Sequence, residues 1–512
     1  GGGGSGYAGW LGFGGGSAAT SHSAVTLGTY SGVLWKFATN SSEPTVTAGP
    51  LVAPDGATAY IADNSGAIYA LELPSSQPSG FVAAFTGYPS PTVKWVYQAA
   101  GSIVNTPALS RDGRMIYAAS QDKKVHGIDT ATGKQTWVAN LDSSLSSAPL
   151  LAEDAGLLFV GDDSGVYYAV NTTTGGSQTW VCLTKLSITG GSALSRDGKT
   201  VYFASGDNWV YAAPVVQDGP NAGSCAYHMG NAAKCYFDAS QPFPVSGPTL
   251  PCATWQVNPS GTPITEPPAL DTSTNTLFVT TGSAGSGARS GGLYAIDLDK
   301  PSTCARAPNG CCPSGNACAA VEPPTVRPLM TMANGSGAST GVTLVAPGKV
   351  LFAADSSLYL VDSKTGAQLW TQAYAEGNGI SSTPVSDGTT IAFGSGDGYF
   401  NLADAADGST LERFKMEEEQ GVSAQAAVAK NGVFIVATTG GKVWAVGADT
   451  ANVLLIRVLL GVAGVVLVAL VCCVCVRAQR AKGKDQYGRL DIDAEAAGGR
   501  DERFGLYEPP RA

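Results

Sequence analysis

A unit of about 42 residues recurs along this chain. Its clearest copy, residues 103–137, reads IVNTPALSRDGRMIYAASQDKKVHGIDTATGKQTW. Four short apolar runs, at 107–109, 115–118, 125–128 and 135–138, alternate with turn signals at Asp112-Gly113, 122–124 and Thr132-Gly133. Such a pattern predicts a four-stranded antiparallel meander. Related stretches end at Trp180 and, as SSLYLVDSKTGAQLW, at Trp370. A sheet this small cannot bury its own faces, so recurring copies must stack on one another. Four strands per unit at this period predict an all-β propeller.

Counting the units gives the number of blades. Segment 32–37, GVLWKF, contains Trp35 and resembles the fourth strand of a unit, but no complete unit precedes it. Full units end near Trp95, Trp137, Trp180, Trp255, about Pro328, Trp370 and Phe414, and the stretch from Val422 supplies three strands more. Pairing the orphan strand with that incomplete unit closes a ring of eight blades over 32–449 and removes the exposed sheet edge. Stretches 74–92, 217–254 and 300–327 lengthen three units between their third and fourth strands. They therefore emerge on one face of the disc, either as a common cap or binding surface or as drift in tolerant loops. Residues 1–31 form a glycine-rich leader carrying Tyr7, Trp10, Leu11 and Phe13. This composition predicts disorder, with docking on the propeller or a neighbouring chain as the ordered alternative.

The 66 glycines and 29 prolines against 14% charged residues suit an all-β fold with many tight turns. A net charge of −10 leaves no basic stripe for phosphates and argues against nucleic acid. VLLGVAGVVLVALVCCVCV, at 458–476, is uncharged, and segment 453–476 is long enough to cross a bilayer as one helix. The basic RAQRAKGK that follows predicts a cytoplasmic tail, 477–512, and a large region outside or in a lumen, a type I topology at the plasma membrane or an endomembrane. That topology calls for a cleaved signal peptide; the chain opens on four glycines, which predicts that one has been removed.

An oxidising compartment makes Cys182, Cys225, Cys235, Cys252, Cys304, Cys311, Cys312 and Cys318 candidates for four disulfides. Cys225 with Cys235 is the first expectation and Cys182 with Cys252 a second. The last four form a self-contained knot. Asn40, Asn171 and Asn334 head glycosylation sequons. At the inner membrane boundary Cys472, Cys473 and Cys475 are candidates for S-acylation, or ordinary apolar residues of a helix.

Enzymatic constellations are thin. His22, His126 and His228 lie far apart in sequence, His126 reads as a surface or packing residue, and no nucleophile elbow, HExxH or phosphate loop occurs. The acidic turns at Asp162-Asp163 and Asp397 offer oxygen ligands for calcium, but they fit hairpin turns equally well.

VHGIDTATGKQTW, YYAVNTTTGGSQTW and LYLVDSKTGAQLW resemble the tryptophan-docking repeats of pyrroloquinoline-quinone dehydrogenases and the PQQ-like propeller superfamily, over about residues 32–449. The resemblance implies eight blades, with Trp35, Trp95, Trp137, Trp180, Trp255 and Trp370 as blade-docking residues. Its catalytic branch uses an adjacent-cysteine pair and a calcium held by Glu, Asn and Asp. Cys311-Cys312 sit in a cysteine-dense insert and no calcium set can be matched, so no cofactor is expected. The chain looks more like the non-catalytic branch, which includes bacterial outer-membrane assembly lipoproteins and lumenal sensors that bind polypeptides.

The expected function is a non-catalytic, single-pass surface protein whose propeller binds a protein or glycan or builds an extracellular assembly. A quinone-dependent dehydrogenase is the alternative. In the tail, Tyr487-Gly-Arg-Leu490 matches a clathrin-adaptor signal.

Overall fold

The computed structural model describes residues 11–16, 19–23, 25, 30–40, 45–74, 89–216, 255–283, 291–301, 324–333, 336–354, 356–374, 379–416 and 421–448. These residues form eight four-stranded antiparallel sheets. Blade 2 shows the plan, with strands Ala108–Leu109, Met115–Ser120, Lys124–Asp129 and Gln135–Asn140. First strands are short and buried because they crowd the axis. Fourth strands such as Thr92–Gln98 lie at the rim and are largely exposed. Seven blades are continuous in sequence. The eighth combines Ala427–Val428, Phe434–Ala437 and Lys442–Ala448 with Tyr30–Ala38, paired from Tyr30 opposite Ala448 to Ala38 opposite Lys442. The chain thus folds as an eight-bladed β-propeller whose ring is closed by its N-terminal strand. The compact unit that contains it ends at Asp449, and the expected membrane segment and tail lie outside the described residues. Among the described residues no helix is long and apolar enough to cross a membrane.

Each core layer lies between two blades. One joins Leu51, Tyr60 and Ile68 of blade 1 to Leu109, Ile116 and Ile128 of blade 2, so every sheet buries both faces against its neighbours. The tryptophans set the spacing of these layers. In most blades a β-bulge stands in the fourth strand just before one register position, which is taken by Trp95, Trp137, Trp180, Trp370 and, across the seam, Trp35. The backbone of Trp255 pairs with Ala212 in the same register. Facing this position on the third strand is a small residue in most blades, Ala70, Gly127, Ala169 and Ala445 among them, which leaves room for an indole.

From that position the indole reaches into the next blade. Trp95, Trp180 and Trp370 each donate Nε1–H to a backbone carbonyl 35 residues on, those of Thr130, Val215 and Ala405, at 2.7, 3.2 and 3.2 Å. The glycine of the next blade's turn lies flat against the ring. A Cβ on Gly133 would stand 2.5 Å from the Trp95 indole, one on Gly176 2.7 Å from Trp137, and one on Gly408 2.9 Å from Trp370. These glycines also have φ of 70°, 86° and 75°, so two constraints coincide at each. The turn is pinned by its first residue as well: Asp129 Oδ1 accepts from the Thr132 amide and hydroxyl, and Asp362 accepts likewise from Thr365. The Thr132 hydroxyl holds the Asp129 carboxyl below the usual carboxylate range.

Two blades depart from the pattern. In blade 5 the tryptophan register falls to Arg327 rather than Pro328, and its guanidinium makes a bidentate pair with Asp297 at 2.8 and 3.1 Å while donating to the Lys364 carbonyl of the next blade. In blade 7 the position is Glu412, beside the expected Phe414.

Cys182 departs from expectation. It is a free thiol, buried between blades 3 and 4 in the cluster that holds Trp180, Phe159 and Phe203, and burial pushes it up to about 12. Its strand turns the sulfur into the packed layer, so it behaves as a small apolar core residue instead of bridging to Cys252. Cys252, Cys225, Cys235, Cys304, Cys311, Cys312 and Cys318 lie outside the described residues.

The indole contact yields a paired test. Gly133→Ala adds both a positive-φ penalty and a collision with Trp95, whereas Gly198→Ala adds only the first, since φ is 69° there and nothing lies within 4 Å. Thermal and urea unfolding should show a loss of about 1 kcal/mol for Gly198→Ala and about 2–4 kcal/mol for Gly133→Ala. Equal losses would mean that the indole contact carries no stability.

Candidate functional site

The first strands bring the residues just before them to the ring axis. They line a cavity of about 190 Å³ whose walls include Thr47, Asn105, Thr106, Glu266, Ser339, Ser381, Thr383, Ser423 and Gln425. Most of these side chains are committed to holding the ring. Thr47 Oγ1 donates to the Val104 carbonyl at 3.0 Å, Asn105 Nδ2 to Ser146 O at 3.2 Å, Ser339 Oγ to Ile380 O at 3.2 Å and Ser381 Oγ to Val422 O at 3.0 Å. Each bond joins one blade to the next, so the axis carries a belt of blade-to-blade hydrogen bonds. Ser423 holds the equivalent place in blade 8, at the ring closure, and its buried Oγ has no partner among the described residues. A second tier has Gly49 N–H donating to Thr106 Oγ1 and Gly341 N–H to Thr383 Oγ1.

Glu266 is the one carboxylic acid in this lining. Its side chain borders the cavity but sits deep in the molecule, and burial pushes its carboxyl up to about 7, opposed only by the Gly341 amide.

The leader closes one mouth of the channel. The Leu109 amide donates to Leu11 O at 2.7 Å, Leu344 to Thr20 O at 3.0 Å and Ser386 to Ser21 O at 3.1 Å, while Ser23 N–H returns a bond to Ser386 O at 2.7 Å. Gln425 completes the attachment, accepting from Gly14 N–H at 2.8 Å and donating to Ser21 Oγ at 2.7 Å. The described residues 11–16 and 19–23 therefore reach from blade 2 to blades 6, 7 and 8. Leu11 packs against the core layer of blades 1 and 2. Tyr7 and Trp10 lie outside the described residues.

Other candidate residues have structural work. His126 is 3% exposed, not a surface residue. Its Nε2 meets both oxygens of Asp122 at 3.2 and 3.1 Å, and its Nδ1 meets Tyr97 Oη at 2.9 Å and Gln135 Oε1 at 3.2 Å, which locks blade 1 to blade 2. Asp162 is fully buried, with Oδ1 capping its turn and Oδ2 accepting from Tyr168. Asp397 pairs with Arg413 at 2.6 Å. Among the described residues no cluster of metal-ligating side chains occurs. Asn40 is exposed, and Asn171 Oδ1 caps the blade-3 turn through Thr173 and Thr174. Asn334, Cys472, Cys473, Cys475, Tyr487 and Leu490 lie outside the described residues.

A carboxylated quinone with its calcium does not fit this lining. Among the described residues the cavity offers one carboxyl and no cation. Its amides are engaged, Asn105 on Ser146 and Thr189 and Gln425 on the leader.

Glu266 gives the fold a pH dependence. A carboxyl held near 7 in the folded state and near 4.5 when unfolded binds more protons folded, so stability is fullest below about pH 4.5 and declines as pH rises to about 7. Glu266→Gln should remove that decline and stabilise the protein at pH 8 by about 1–2 kcal/mol, allowing for channel water, with little effect at pH 4. Melting curves across this range measure it; parallel curves for the two proteins would refute the assignment.

Comparison with known proteins places this geometry in a family. A family model described as outer membrane protein assembly factor BamB matches residues 89–219 and 315–464, more than half of the chain. No curated protein matches the sequence. Among solved structures, BamB from Moraxella catarrhalis is similar at 16% identity, with a TM-score of 0.54, covering 82% of this chain and 100% of its own. The C-terminal WD40 domain of Sif2 is similar at 13% identity and TM-score 0.54, covering 83% and 100%. The computationally designed Ika8 protein is similar at 10% identity and TM-score 0.53, covering 82% and 100%. These likenesses agree on the propeller, and with the sequence match they establish that the chain belongs to the PQQ-like propeller family whose model is described as the outer membrane protein assembly factor BamB.

Proposed function

We propose that this protein is a non-catalytic, membrane-anchored docking module whose propeller binds another polypeptide through one face of the disc. The observation that carries this reading is convergence on that face. The third strands of blades 1, 4 and 5 end at Glu72, Pro214 and Pro301, and their fourth strands begin at Thr92, Trp255 and Pro324. In an antiparallel meander the turns between first and second strands and between third and fourth strands share a face, so the three longest insertions leave from the side where the leader closes the mouth. Membership of a family named for an assembly factor supports a protein partner. Axial side chains spent on blade-to-blade bonds support a scaffold over a dehydrogenase. The sequons leave a glycan-bearing surface, or a glycan partner, compatible with the same face.

Segment 453–476 anchors the module in this reading. The basic flank keeps 477–512 in the cytoplasm, and Tyr487 with Leu490 gives that tail an adaptor signal. Photo-crosslinkers at Asp112, Lys134, Asp197 and Lys364, on turns of the proposed face, should trap a common partner, while those at Lys123 and Asp163 on the opposite face should not. Adducts spread evenly over both faces would sink the reading. Tyr487→Ala should slow uptake from the cell surface several-fold; unchanged uptake would remove the adaptor from the account.

A further inference from the structure

The leader shows how the channel mouth holds extended chain. It takes the outward amides of Leu109, Leu344 and Ser386, which are the same register position of their first strands, opposite Ile116, Val350 and Ile391. Leu151 and Leu194 hold that position in blades 3 and 4, opposite Leu158 and Val201, and no described residue of the leader bonds to either amide. Beside them the mouth opens into a cavity of about 310 Å³, walled by Leu109, Leu150, Leu151 and Leu194 and by Leu11, Gly12, Gly15 and Gly16 of the leader.

Glycine is the reason this space exists. A Cβ on Gly16 would meet nothing within 4 Å and one on Gly12 only the Pro107 carbonyl at 3.9 Å, and both residues have extended backbone. The leader thus runs along a groove without filling it. Gly14 is different, for its φ is 68° and a Cβ there would stand 2.7 Å from the Ala19 backbone. Backbone bonds and small side chains hold the leader, and little apolar area is buried, so a segment making the same bonds with larger side chains would displace it.

We propose that this mouth is a docking groove for an extended segment of a partner protein, one that carries an apolar side chain over blades 3 and 4, and that residues 11–25 occupy it in cis until displaced. This rests on the docking-face reading and names the chemistry of the partner at its centre. Main-chain hydrogen bonding to Leu109, Leu344 and Ser386 supplies register, and the cavity beside Leu151 and Leu194 supplies selectivity.

The test uses the full-length chain carrying Gly14→Val, with Gln425→Ala as a second variant that removes two leader bonds without a steric clash. Hydrogen exchange at Leu109, Leu344 and Ser386 should quicken at least tenfold in either variant, while Thr39, bonded to Gly441 in the ring seam, stays protected. Adding the synthetic peptide LGFGGGSAATSHSAV, residues 11–25, should restore protection at those three amides, and the same peptide carrying Gly16→Leu should do so at roughly tenfold lower concentration. Loss of protection at Thr39 in one variant would mark general unfolding and leave the other to decide. No restoration by either peptide, or no advantage for Gly16→Leu, overturns the groove. Concentration-dependent dimerisation of the variants with restored protection and no peptide would identify a second copy as the occupant and overturn the partner assignment. Crosslinks at Asp112 and Lys134 that persist under saturating peptide would leave the docking face standing and dismiss only the groove.

Discussion

The contact between an indole and the turn glycine of the following blade is what the rest of the molecule depends on. It is made at Trp95 with Gly133, Trp137 with Gly176 and Trp370 with Gly408. Because the ring lies flat on a backbone that has no side chain to spare, neighbouring blades meet at one depth and one angle, and repeating that angle brings the eighth blade back to the first. A blade can do without the indole if something else reaches the next turn. Arg327 does so with a charge-assisted pair behind it, a more polar solution at a rim position where water can solvate part of the guanidinium.

Stacking at the rim dictates what the axis can contain. Eight short first strands converge there, and the residue types just before them are small and polar. Several of their hydroxyls and amides tie one blade to the next, at blades 1 to 2, 2 to 3, 6 to 7 and 7 to 8, which leaves little chemistry free for a ligand. Ser423 is the exception and marks where the circle is completed by a strand from the other end of the chain. Glu266 is the second departure, a half-buried carboxyl in the channel wall that desolvation raises above its ordinary range.

The parts of this structure that were legible beforehand are those written locally. An aspartate, a glycine and a tryptophan at fixed spacing define a blade in one stretch, so the blade count and the strand that closes the ring could be read directly. The channel could not be read in this way, since Thr47, Asn105, Glu266 and Ser381 come from separate units and each looks like an ordinary loop residue. Their one shared signal is a small polar residue a few positions before every first strand. His126 was hidden for a related reason: Asp122 and Gln135 are near in sequence, but Tyr97 joins them only once two blades stack. In the leader, glycine content argued for disorder, yet the attachment runs through backbone groups that glycine also possesses. Cys182 misleads because a thiol in a region expected to be oxidising suggests a bridge, whereas strand parity sends this one into the core.

The seam between Tyr30–Ala38 and Lys442–Ala448 also has a consequence in time. Residues Thr39 and Gly441, bonded to one another beside it, are 402 positions apart. During synthesis at about 5–20 residues per second, the first strand waits roughly 20–80 s before its partner exists. Until then the growing array is an open arc whose terminal blades each present an uncovered side to the surroundings. A chain built this way has every reason to mature where folding helpers are plentiful, and its most vulnerable moment comes just before its last strand arrives.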